Sequence, residues 1–194
     1  MARDPLPDDL TFAPLTPDRW ADLEALFGPR GASGGCWCMW WRSPRSEFNA
    51  LKGDGNRAAF RSVVESGAPP GVLAYAGDRP VAWCAIAPRE HYPGLARSRI
   101  LKPVDDQPVW SVTCFFIAKG WRRRGLAVRL LRAAVAFAQE HGARIVEGYP
   151  VESRQDMPAV FAWIGMASTF RRAGFVEVAR RSETRPIMRL TLAD

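Results

Sequence analysis

Hydrophobic and polar positions alternate along the chain with two periods. The clearest helical stretch runs from Arg124 to His141: Ala127, Leu130, Leu131, Ala134, Phe137 and Ala138 recur at helical spacing, Arg129, Arg132, Gln139 and Glu140 take the other side, and Gly142 ends it. The clearest strand precedes it, over Val109–Ala118, dense in β-branched and aromatic residues as expected of a strand buried on both faces. Ala143–Tyr149 reads as a second strand, and a strand, crossover helix, strand run of this length implies a parallel pair with a right-handed connection. Upstream, Leu10–Pro14 reads as a short strand. A helix over about Pro17–Phe27 follows, with Thr16 as N-cap, Pro17 at its first position and Gly28 past its end. Gly71–Ala76 and Pro80–Ala87, joined by Gly77-Asp78-Arg79, read as a hairpin. Downstream, Met166–Ala173 is read as a short helix, and Gly174–Ala179 and Pro186–Leu192 as strands.

Between these lie three less periodic stretches. Ser46 to about Ser66 supplies one or two helices broken near Gly53 and Gly55, residues 88–107 form a loop with a short helical piece, and residues 150–160 form another loop. Residues 28–45 contain Cys36-Trp37-Cys38-Met39-Trp40-Trp41-Arg42, too aromatic for a disordered linker and expected as an ordered loop lining something.

The length of 194 residues with 47% hydrophobic content suits one well-buried domain. No apolar run reaches the roughly 18 residues that span a bilayer, and the start is acidic and proline-rich, so a cytoplasmic protein with no membrane partner is expected. The four cysteines, Cys36, Cys38, Cys84 and Cys114, lack paired CxxC spacing and read as thiols. A metal site on Cys36 and Cys38 lacks two further ligands nearby, so no metal is expected. The net charge of +7 suits a polyanionic partner, yet its arginines are scattered except at Arg122–Arg124, Arg171-Arg172 and Arg180-Arg181. Scatter argues against a dedicated nucleic-acid stripe.

The chemistry concentrates where the central strand meets its helix, at Lys119-Gly120-Trp121-Arg122-Arg123-Arg124-Gly125-Leu126-Ala127. Such a turn aims several backbone N–H groups at one point at the positive end of a helix, which suits a phosphate. Each charge-assisted N–H contact contributes about 1.5–3 kcal/mol and the helix dipole about 0.3–1 kcal/mol. Gly125 lets an anion approach the chain closely and Ala127 leaves room beneath it. Three arginines at a helix N-terminus oppose the dipole unless an anion joins them. Neither G-x-G-x-x-G nor G-x-x-x-x-G-K-[ST] follows a strand here.

Arg122-x-x-Gly125-x-Ala127, after a strand and before an amphipathic helix, resembles the signature of the GNAT superfamily of acyl-CoA N-acyltransferases. Phe170-Arg171-Arg172-Ala173-Gly174-Phe175 resembles the helix-to-strand junction of the same family, which carries Tyr where this chain has Phe170. The resemblance covers roughly residues 70–192; the N-terminal third matches only in outline. It implies a single-domain α/β (or α+β) GNAT fold over residues 1–194, with a mixed, mostly antiparallel central sheet of six to seven strands flanked by helices, and a splayed parallel strand pair holding coenzyme A. It further implies acetyl-CoA as co-substrate and an amine of a small molecule or peptide as acceptor, in a monomer or homodimer. By that carry-over Phe115, Phe116 and Ile117 offer backbone hydrogen bonds to the pantetheine arm; Arg122, Arg123, Arg124, Gly125, Leu126 and Ala127 hold the pyrophosphate; and Phe170 closes the cofactor site.

Acetyl transfer requires a neutral amine, and an amine of pKa about 10.4 is neutral in only about one part in a thousand at pH 7. The family often places a glutamate on the central strand for this; the corresponding position here, near Ser111, has no carboxylate. Candidate bases are Glu147, Glu152, or a water relay through Asp105 or Asp106, each otherwise a surface carboxylate. With Phe170 unable to donate a proton, Tyr149 is the preferred acid for the departing thiolate, ahead of Ser168 and Thr169. A thiol of pKa about 8.5 leaves with modest help. The aromatic loop falls where the family walls its acceptor site: Trp40 and Trp41 would hold an apolar or aromatic acceptor and Arg42 a carboxylate, unless the tryptophans simply pin the loop to the sheet. Two alternatives stand beside the enzyme: an acyl-CoA-binding regulatory module without catalysis, favoured by Phe170 and the missing strand carboxylate, and an RNA-binding protein, resting on charge alone.

Overall fold

In a computed structural model, which describes residues 6–7, 9–67, 70–152 and 163–193, seven strands form one sheet. They are β1 (Leu10–Pro14), β2 (Gly71–Ala76), β3 (Arg79–Pro88), β4 (Trp110–Ile117), β5 (Ile145–Gly148), β6 (Val176–Arg180) and β7 (Pro186–Thr191), in the order β1-β2-β3-β4-β5-β7-β6. Every pairing is antiparallel except β4 with β5. The helices are α1 (Trp20–Phe27), α2 (Arg45–Ala50), α3 (Asp54–Glu65), α4 (Pro93–Ala96), α5 (Leu126–Glu140) and α6 (Ala167–Arg172). Among the described residues no helix is long and apolar enough to cross a membrane.

Strand alternation sorts the core into layers. Val72, Ala74, Ala82, Cys84 and Ile86 pack with the α5 residues Leu130, Leu131, Ala134, Phe137 and Ala138. Their neighbours Leu73, Tyr75, Trp83 and Ala85 pack on the opposite face with Trp20, Leu23 and Phe27 of α1 and Phe60 and Val64 of α3. A third, smaller cluster gathers Ala87, Tyr92, Leu95, Leu101, Tyr149 and Ile187. Cys84 and Cys114 are buried thiols within these layers.

The expected elements form with small shifts. The stretch beginning at Pro17 opens as a 3-10 turn (Pro17–Arg19), and the α-helix proper begins at Trp20. Thr16 stands at the N-cap in extended conformation but makes no capping bond, its hydroxyl accepting from Arg19 Nη1 at 3.0 Å. The broken helical region resolves into α2 and α3, separated at Gly53, and the short helical piece in 88–107 is α4 with a 3-10 turn before it. Most of the loop expected at 150–160 lies outside the described residues; Val151 bridges Met166 in parallel.

A β-bulge positions the site. In the β3–β4 register Ala85 faces Cys114 and Ile86 faces Val112, leaving Thr113 opposite no residue. The extra residue inverts the side-chain phase of β4: Val112 and Phe115 share the α5 face, and Cys114 takes the other. Pairing with β5 ends at the same point, at Val112↔Gly148, so the parallel strands part beyond the bulge.

Candidate active site

Past the bulge β4 runs to Ile117 and turns through Lys119–Trp121 into α5. Arg122 is extended (ψ 152), and Arg123 (φ 59) and Gly125 (φ 89) are left-handed. A non-glycine residue in that region costs about 1–2 kcal/mol, so the turn is held in shape. Arg122 Nε donates to Ile117 O at 2.7 Å, tying the turn to the strand end, and the Arg124 guanidinium lies 5.1 Å from the Trp121 ring centroid. The first turn of α5 has no capping side chain and no acidic residue. A Cβ on Gly125 would meet nothing within 4 Å, so the backbone there is open to an approaching group. A diphosphate fits these residues: donors at a helix start, three cations and an unobstructed glycine.

The gap between the diverging strands contains protein. Phe170 is fully buried, its ring 6.0 Å from that of Phe115 and 5.0 Å from that of Phe175. It lies so close to β5 that a Cβ on Gly148 would stand 2.1 Å from it. The Phe115 N–H donates to Trp163 O at 2.5 Å. Phe115 is buried, while Phe116 and Ile117 are partly exposed. Of the residues expected to meet the cofactor, the structure groups the turn at 122–127 beside the end of β4 and puts Phe170 inside the core.

Below the bulge sits a buried polar network. Glu147, on β5 opposite Ser111, has no exposed side-chain surface. Its carboxylate accepts from Arg89 Nη1 at 2.9 Å, Arg189 Nε at 2.7 Å and Tyr149 Oη at 2.7 Å. The Tyr149 hydroxyl also lies 2.8 Å from Ser111 Oγ and bonds Arg89. Burial, then the charge of Glu147, push the Tyr149 phenol well above its ordinary pKa. Arg189 continues to Asp105 at 2.6 and 3.0 Å, and its hydrogen bonds hold that carboxyl below the usual range. Glu152 lies apart from this network, where bonds from Arg171 and Arg180 lower its pKa. The carboxylate level with Ser111 thus comes from the adjacent strand.

The aromatic loop divides. Trp37 is buried against Trp20 and Phe27 and anchors the loop, with Cys38 accepting from Trp83 Nε1 at 3.1 Å. Trp40 and Trp41 instead meet Trp163, the three ring centroids 6.2–6.5 Å apart. Trp40 remains 37% exposed, with the Arg45 guanidinium 3.7 Å from its ring centroid. Arg42 lies 4.5 Å over the Tyr92 ring and donates to Tyr92 Oη at 3.2 Å; its Nε is buried with no hydrogen-bond partner among the described residues. Burial raises the Tyr92 pKa, against the opposing charge of Arg42.

Sequence reasoning missed Arg89, Arg189, Tyr92, Thr113 and Trp163. The available signal was an arginine inside an apolar strand, Pro186-Ile187-Met188-Arg189-Leu190, since a charge there demands a buried partner.

Comparison with known proteins agrees with this architecture. No curated protein matches the sequence. The structure resembles a putative acetyltransferase of the GNAT family from Desulfovibrio desulfuricans, with a TM-score of 0.55 and 15% identity over 95% of this chain and 99% of that one. It also resembles yncA, a putative acetyltransferase from Salmonella typhimurium solved with its cofactor acetyl-CoA (TM-score 0.54, 12% identity, 96% of each chain). A third is the PaiA N-acetyltransferase of Thermoplasma acidophilum in complex with coenzyme A (TM-score 0.53, 11% identity, 95% and 99% covered). At such identities the likeness speaks for the fold, but the sequence model of the acetyltransferase (GNAT) family matches residues 37–166, from the aromatic loop through β5 to the start of α6. With that span covering well over half of its length, the chain belongs to the GNAT acetyltransferase family.

Proposed function

We propose that this protein transfers the acetyl group of acetyl-CoA to an amine of a small molecule or peptide. The observation that carries the reading is the bulged, diverging β4 ending in an uncapped, arginine-rich helix start. Backbone donors at Gly125, Leu126 and Ala127 and the side chains of Arg122, Arg123 and Arg124 would hold the pyrophosphate, and Phe115, Phe116 and Ile117 would line the arm, with Phe170 buttressing Phe115 from beneath. Acetyl-CoA supplies an activated thioester; the chain supplies orientation and a proton.

Tyr149 is the residue we assign to proton donation, through Ser111, because its hydroxyl lies 2.8 Å from Ser111 Oγ on β4, the strand that carries Phe115, Phe116 and Ile117. Glu147 orients Tyr149 and is itself bonded by Arg89 and Arg189, and Glu152 is engaged by Arg171 and Arg180. Asp105 is likewise held by Arg189. With these carboxylates committed to arginines, the reaction draws on the neutral fraction of the amine. For an acceptor of lysine-like pKa, kcat/KM is expected to rise about tenfold per pH unit from about pH 6 to 9, since its pKa is about 10.4. A plateau set in by pH 6, the mark of a carboxylate base, would sink this assignment.

Trp40 and Trp41 would wall the acceptor and Arg42 would bind a carboxylate on it, since the partly buried Arg42 makes no ion pair among the described residues and its Nε is enclosed without a hydrogen bond there. Thiol release against a pooled amine panel tests this. Turnover concentrated on amines that also carry a carboxylate supports Arg42; equal turnover of amines without one contradicts it. A regulatory module that binds acetyl-CoA without turnover is the second reading, favoured by the burial of Phe170 where the family has a proton donor.

A further inference from the structure

The segment 163–166 fills the space that opens between β4 and β5. The Trp163 carbonyl takes the Phe115 N–H at 2.5 Å, the Gly165 carbonyl takes the Val151 N–H at 2.9 Å, and Ala167 N–H returns to Val151 O at 2.9 Å. Gly165 is left-handed (φ 86), and a Cβ on it would lie 2.8 Å from the Phe170 ring and 2.9 Å from that of Phe115, so the strap is seated as closely as a glycine permits. One of the β4 donors offered to the pantetheine arm is thereby engaged by the protein itself. At its other end the same residue faces the acceptor loop: the Trp163 indole lies 6.2 Å from Trp40 and 6.3 Å from Trp41, tilted 74° and 33° to them.

We propose that Trp163 is a positioning residue shared by the two substrates, its carbonyl withholding the Phe115 donor from acetyl-CoA and its indole completing the acceptor wall with Trp40 and Trp41. The inference rests on the acetyl-CoA reading above. A ligand that needs the Phe115 N–H must first displace a carbonyl already bonded to it, and its apparent affinity falls by the fraction of molecules in which the strap is seated. Because the carbonyl and the indole belong to one residue, displacing the first shifts the second. Cofactor binding therefore remodels the tryptophan wall, and removing the indole affects the two substrates in opposite directions.

Trp163→Ala removes the ring contacts that seat the strap. It should tighten acetyl-CoA several-fold in calorimetric titration while raising the KM for the amine several-fold; Trp163→Phe, which keeps a ring in the wall, should restore both toward the original values. In the unsubstituted protein labelled with 5-fluorotryptophan, the fluorine resonance missing from Trp163→Phe should move on titration with acetyl-CoA. Weakening of both substrates together in a folded Trp163→Ala protein, or a stationary resonance while calorimetry records binding, overturns the role given to Trp163. Absence of acetyl-CoA binding in the unsubstituted protein instead overturns the cofactor reading, and this inference with it.

Discussion

Gly125→Glu is expected to weaken coenzyme A binding by at least about a hundredfold, roughly 2.7 kcal/mol, while leaving the fold intact. Gly125 occupies the left-handed region immediately before α5, where the family match and the uncapped helix start converge. Its missing Cβ would touch nothing within 4 Å, so a larger residue meets no packing obstacle. The folded state loses only the backbone strain of a side chain at positive φ, about 1–2 kcal/mol. The new carboxylate, in contrast, stands at the point where Arg122–Arg124 and the helix N-terminus would receive a diphosphate, and it both blocks and repels one. Parallel measurement of thermal unfolding and of coenzyme A affinity separates the effects. A folded Gly125→Glu protein that binds normally would show that the anion sits elsewhere.

The second large effect concerns stability. Glu147→Ala is expected to destabilise the fold by about 3–5 kcal/mol, the usual result of removing one partner of a buried ion pair. Glu147 is wholly enclosed, and its removal takes the carboxylate from Arg89 and leaves Arg189 with Asp105, the two side chains being only 13% and 9% exposed. It also removes the acceptor of the Tyr149 hydroxyl. Glu147→Gln, which keeps the shape and one carbonyl acceptor, should lose less. Denaturant unfolding gives the comparison directly. A Glu147→Ala protein of unchanged stability that had lost only turnover would reverse the assignment made here and make Glu147 the base.

The difference between these two sites reflects what a linear sequence carries. The turn proposed for the pyrophosphate is local: strand, arginines, glycine and amphipathic helix follow one another within Trp110–Glu140, so it is legible in the sequence. The seven strands were legible for the same reason, since each is a short run with its own composition and turn signals. The Glu147 network joins residues 89, 105, 111, 147, 149 and 189, which only the sheet order brings together. A carboxylate on one strand therefore stands level with Ser111 on the next, and no local spacing announces it. The bulge at Thr113 was hidden because β4 is buried on both faces, so no change from buried to exposed positions marks the inverted phase. In the aromatic loop, spacing alone gave no basis for separating Trp37, which anchors, from Trp40 and Trp41, which face Trp163.

Calorimetric titration of the purified protein with acetyl-CoA and with coenzyme A tests the central claim most directly. Saturable micromolar binding of both ligands is expected, followed by amine-dependent release of the free thiol when an acceptor is supplied. No binding of either would contradict it, because the turn at the start of α5 would then have been misread as an anion site.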